Sequence, residues 1–133
     1  MNTDGEDMKS GKEGAARVFR KGELYWIPSP EQGSGGKGIA HPHVILQETV
    51  LNQSRIPTIV VCALSTNLKR VSESGNVLLD KGEGGLEKQS LVVVSQVSAV
   101  DRRVIGAFIG ALSPERIDAI FAGMRFQQNL AAR

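Results

Sequence analysis

The chain has 133 residues, is 41% hydrophobic and only 5% aromatic, and carries a net charge of +2, which suits one domain with one modest core of Val, Ile and Leu. No apolar run approaches the ~20 residues that span a bilayer. The polar start "MNTDGEDMKSGKEGAAR" also lacks the apolar stretch of a signal peptide, so a soluble cytoplasmic protein with no membrane partner is expected.

Charge is uneven along the chain. Residues 1–16 carry −2 and the remainder +4. A mildly basic domain fits either a nucleic-acid contact or an ordinary soluble surface. The single cysteine, Cys62, excludes an internal disulfide framework. Its place inside the apolar run "TIVVCAL" reads as a small core residue rather than a nucleophile.

Residues 1–16 are polar and glycine-punctuated, and predict a disordered tail, with the domain spanning 17–133. "GELYWIP" is rich in β-favouring residues and predicts the first strand. The glycine- and proline-rich "PSPEQGSGGKGIAHP" predicts a long loop, a common place for function. "HVILQE" predicts the second strand. "PTIVVCAL" and "SLVVVSQV" are continuous apolar runs and predict strands buried on both faces. "GNVLL" is a short strand, followed by the turn "KGEGG". "DRRVIGAFIGAL" predicts a turn and a last short strand. The period then changes. Ile117, Ile120, Phe121, Met124 and Leu130 fall at helical spacing behind the N-cap signal Ser113-Pro114, with Arg125 toward the end of the segment, where a cation suits the helix dipole. The expected fold is mainly β: a small, strongly bent antiparallel barrel with a C-terminal helix. The apolar helix stripe covers either an open side of the sheet or a second subunit.

Motifs for metal and nucleotide chemistry are missing. One cysteine and one H-x-H pair are too few zinc ligands. In "GSGGKG" the lysine, Lys37, lies inside the glycine run with no Ser or Thr after it, unlike a P-loop. The polar groups that stand out lie at strand ends. His41 and His43 flank Pro42, and strand alternation puts both imidazoles on one face with Ile45 and Gln47, while Val44 and Leu46 face the core. They either look into a common groove or sit exposed on a half-polar strand. In "LSTNLKR", Ser65, Thr66 and Asn67 either cap a turn or place a hydroxyl beside a site. Lys69 and Arg70 either solvate a loop or hold phosphates. Gln96 is a strand-end residue or a ligand contact.

Read in order, the blocks "GELYWIPSP", "HPHVILQ", the asparagine of "VLNQSR", "TIVVCALSTNLKR", "GNVLL", "GGLEKQSLVVVSQVSAVDRR" and "IGALSPERI" resemble the MazF/PemK (Kid-like) toxin family over about residues 20–126. The resemblance implies an SH3-like small β-barrel, usually a homodimer, that serves as the toxin of a type II toxin–antitoxin system. It implies a metal-independent, cofactor-free endoribonuclease that cuts single-stranded RNA or mRNA at short sequences. A cognate antitoxin protein would neutralise it.

The family's catalytic positions are altered in this chain. His41 stands where the family's R-P-V arginine would be, and Ser65, followed by Thr66, stands where its L-T-S threonine would be. Val93 and Ser95 replace the Kid-type acid–base pair, Gln96 alone survives of the D-Q dipeptide, and Gly35 replaces a loop glutamate. Cutting RNA through its own 2′-hydroxyl needs a base, an acid and a donor for the phosphorane's charge. Arginine is a strong donor but a poor base, whereas histidine as a residue type can be either acid or base near neutrality. The carry-over therefore names His41, Ser65 and Thr66 as catalytic candidates. Lys37, His43, Asn67, Lys69, Arg70 and Gln96 are the RNA-contact candidates. The competing reading is a non-catalytic RNA- or antitoxin-binding relative that has lost the arginine.

Overall fold

The computed structural model describes residues 17–30 and 38–131. The tail predicted at 1–16, Lys37 and Gly35 fall outside them. Six strands form one antiparallel sheet: β1 (Glu23–Pro30), β2 (Gly38–Ile45), β3 (Thr58–Ser65), β4 (Val77–Leu79), β5 (Ser90–Asp101) and β6 (Phe108–Ala111), in spatial order β4-β5-β3-β2-β1-β6. A one-turn helix α1 (Thr49–Asn52) links β2 to β3, and the long helix α2 (Pro114–Ala131) ends the chain.

The loop predicted after β1 is shorter than the composition suggests, because the ladder runs on through Pro28↔Ala40 to Pro30↔Gly38. Prolines fit here for a positional reason. Trp26 N–H points toward β6 and donates to the Ala107 carbonyl, so the nitrogens of Pro28 and Pro30, two and four residues on, point the same way and away from β2. The second strand also ends earlier than predicted. Leu46 N–H and Gln47 N–H both donate to the Val60 carbonyl, at 2.9 and 3.3 Å. This bulge breaks the alternation before Gln47. Gln47 turns instead to a buried hub, where its amide donates to Asn52 Oδ1 at 2.8 Å and to the Thr58 carbonyl at 3.1 Å. Asn52, fully buried, donates in turn to the Phe19 and Gln47 carbonyls at 2.6 and 3.0 Å. Each polar group of this hub is satisfied inside the protein, which is what makes its burial tolerable.

The apolar run of β3 and residues 90–94 of β5 are covered on both faces, as their sequence predicts, but Ser95, Gln96 and Val97, at the end of the predicted buried run, are exposed. Cys62 and Leu64 of β3 join Leu24, Val44, Val92, Val94 and the α2 residues Ile117 and Ile120 in the main core. Ile59 and Val61, of opposite parity, join Phe19, Tyr25, Ile27, Ile45 and Ile105 in a second cluster. The helix stripe thus covers the sheet, with Phe121 and Met124 packed against the main core. The side chain of Leu130 is outside the described set. Ser113 Oγ accepts from Arg116 N–H at 3.2 Å, the expected N-cap. The helix continues to Ala131, so Arg125 falls short of the last turn and adds little to the dipole.

The turn after β4 brings the two edges of the sheet together. Gly84 and Gly85, both at positive φ, lie against β6. A Cβ on Gly110 would run into the Gly84 carbonyl, and one on Gly85 would sit 2.6 Å from the Ile109 carbonyl. Glu83, in the same turn, pairs in a fork with Arg116 at the start of α2 and accepts from Asp80 N–H at 3.0 Å. The Arg116 guanidinium holds the Glu83 carboxyl below its ordinary value.

His43 lies in the body of β2 and is 4% exposed. Its Nδ1 is 2.9 Å from the His41 carbonyl. A carbonyl only accepts, so Nδ1 carries the proton. Burial pushes this imidazole below its ordinary value, against the opposing pull of the His41 carbonyl.

Two expectations follow. Gly110→Ala is resisted by backbone atoms that cannot swing aside, and unfolding in denaturant should show a loss of about 1–3 kcal/mol. The His43 effect has a definite sign. A depressed folded-state value makes its contribution complete above ~6.5 and lost as pH falls through the lower folded value. The thermal midpoint should fall from pH 7 to pH 5, and fall less in His43→Leu; equal slopes would remove His43 as the cause.

Candidate functional site

A groove of about 440 Å³ opens at the mouth of the curled sheet. Trp26 and Pro42, partners across the β1–β2 ladder, contribute one side. They share the parity of the core residues Leu24 and Val44, so the groove is where the core-facing row runs out into solvent. Thr66, just past β3, and the buried Ser90 at the start of β5 line it as well. The far side is the segment from Gly85 to Lys88, seated there by the glycine contact with β6.

Two of the three catalytic candidates reach this groove. His41 and Thr66 both line it. Ser65 does not. It lies on the same face of the sheet as His41 and His43, because the β2–β3 ladder pairs His43 with Ala63 and each strand then runs two residues further. The Ser65 hydroxyl accepts from Asn67 N–H at 3.0 Å, and Asn67 Oδ1 accepts from Lys69 N–H at 3.1 Å. These two side chains therefore cap the turn that starts the 3₁₀ segment Leu68–Ser72. Ser65 and Thr66 thus differ in place: the Ser65 hydroxyl holds the turn, and Thr66 lines the groove.

The RNA-contact candidates are dispersed. His43 is buried behind His41 and steadies that residue's carbonyl. Lys69 is exposed on the turn. Arg70 is engaged by Glu73 at 2.9 Å, an exposed pair of small energetic weight. Gln96 is exposed on β5, inside a register shift where β5 carries extra residues against Cys62–Leu64. Cys62 is buried beside the Val93 carbonyl, and burial pushes its thiol up to about 12, far from a thiolate nucleophile.

Sequence reasoning missed Trp26, Pro42, Glu87 and Lys88. Trp26 and Pro42 read as strand residues, and nothing in a linear pattern shows that the core row ends at them. Glu87 and Lys88 carried a usable signal: adjacent opposite charges between a glycine turn and a fully apolar strand. Chemically, the groove offers an imidazole, a hydroxyl and an ammonium within one concave surface. That set can move a proton, hold a phosphate oxygen and offset developing negative charge. Among the described residues no group of three His, Cys, Asp or Glu is placed to hold a metal ion.

Comparison with known proteins agrees with the fold. Residues 20–127 match the family described as PemK-like, MazF-like toxin of type II toxin-antitoxin system. The endoribonuclease MazF of Staphylococcus saprophyticus is 27% identical over 104 residues, covering 77% of this chain and 85% of its own. The crystal structure of MazF from Deinococcus radiodurans aligns with a TM-score of 0.68 at 15% identity, covering 85% of this chain and 98% of that one. A mycobacterial endoribonuclease in complex with its cognate antitoxin aligns with a TM-score of 0.65 at 16% identity, covering 84% and 95%. With the family match spanning nearly the whole described domain, the chain belongs to the PemK-like, MazF-like toxins of type II toxin–antitoxin systems.

Proposed function

We propose that this chain is a toxin endoribonuclease that cleaves single-stranded RNA, mRNA included, through the RNA's own 2′-hydroxyl and without a metal ion. The observation that carries this reading is the meeting of His41 and Thr66 in one groove. His41 acts as general base or acid, and Thr66 donates to the scissile phosphate. The nucleophile comes from the substrate, so the protein has no need of a nucleophile of its own. A relative named as an endoribonuclease, and a structural neighbour seen with its cognate antitoxin, support the activity and the kind of partner. We place the protein in the cytoplasm, where mRNA is met, as a homodimer held in check by its own antitoxin.

The substitution of His41 for the family's arginine favours one rival, a relative that binds RNA or antitoxin without cutting. Cleavage of a long single-stranded RNA in EDTA separates the two. The wild type should cut, and His41→Ala should lose about 10²-fold or more in rate. Equal rates remove His41 from the chemistry, and no cutting by the wild type leaves the binding module.

A further inference from the structure

Trp26 is the chain's only tryptophan, and it is 38% exposed although it lies in the row of core residues. With Pro42 across the ladder it gives the groove an apolar platform. Glu87 and Lys88 line the same groove and are exposed, and neither forms an ion pair among the described residues. Their backbone is fixed on both sides. Leu86 is anchored in the main core, and the buried Ser90 hydroxyl donates to the Lys88 carbonyl at 2.9 Å. An aromatic platform beside a carboxylate and an ammonium carried on a fixed backbone is complementary to an unpaired nucleobase. The base stacks on the ring and hydrogen-bonds along its edge.

We infer that this groove reads a guanine of the RNA, stacked on Trp26, with Glu87 accepting from N1–H and N2–H and Lys88 donating to O6. Guanine alone has two adjacent donors for one carboxylate next to an acceptor for an ammonium. Adenine and cytosine offer a single amino group on that edge, and uracil a single imino N–H. With any other base the Glu87 carboxylate or the Lys88 ammonium loses water to the stacked ring without gaining a partner, which is the source of discrimination. The inference rests on the RNA-cleaving reading above and adds the determinant of its sequence preference.

The test uses the full chain and 2′-O-methyl oligouridines carrying one central G, A, C or U, which bind but cannot supply the attacking hydroxyl. Emission from Trp26 reports stacking, and fluorescence anisotropy of labelled oligomers reports binding. The guanine oligomer should quench Trp26 and bind at least tenfold more tightly than the other three. Glu87→Gln should cut that preference by about tenfold, while Phe126→Ala, at a more exposed aromatic outside the groove, should leave it intact. Equal affinities for the four oligomers, binding without quenching, or an unchanged preference in Glu87→Gln each overturn the guanine site. If the wild type still cuts unmodified RNA in that case, the nuclease reading survives alone. Absence of both binding and cutting overturns the two together.

Discussion

The contact of backbone on backbone between the turn at Gly84–Gly85 and Gly110 of β6 governs where everything else in this molecule stands. It is an interaction defined by what is missing, since no side chain fits between the two segments. Because the turn follows β4 and β6 lies at the opposite edge of the sheet, their contact curls six strands into a half-barrel. The same turn carries Glu83 to Arg116, so the helix is indexed to the closure. It also sets Leu86, Glu87 and Lys88 at the mouth of the barrel, facing Trp26 and Thr66. One steric constraint therefore fixes the shape of the sheet, the docking of its cover and the far wall of the groove.

The two histidines divide a task that their spacing suggested they share. His41 reaches solvent at the groove, whereas His43 is sealed in the sheet and holds the carbonyl of its neighbour. Pro42 between them gives up an N–H in the body of β2, and the His43 ring supplies a donor close by. A buried neutral imidazole is costly to charge, so it works here as a fixed peg rather than as a proton carrier.

Most of the fold is legible in the sequence because apolar runs, turn glycines and the Ser113-Pro114 cap each carry a local physical signal. The residue-by-residue resemblance to a toxin family then points to the end of the sheet where His41 and Thr66 line the groove. What stays hidden depends on geometry across the chain. Two carbonyl-sharing N–H groups at Leu46 and Gln47 end a strand whose residues would otherwise continue it. Ser65 and Thr66 are chemically near-equivalent, and only the path of the chain as it leaves β3 decides which lines the groove. The segment at Glu87 and Lys88 acquires a partner wall only when β6 arrives, some twenty residues later. Asn52 shows the reverse case: the first of four consecutive polar residues in "VLNQSR" becomes the centre of a satisfied buried network.

The prolines of β1 carry a consequence beyond tolerance. A sheet edge recruits extended peptides by offering alternating donors and acceptors. On the side of β1 that faces β6, the positions after Trp26 that would donate are Pro28 and Pro30. A strand arriving there would meet acceptors alone and could not zip. The rim beside the groove is thus closed to augmentation by another backbone, whether from an aggregating copy or from a partner's extended arm, while remaining open to a nucleotide that needs no ladder.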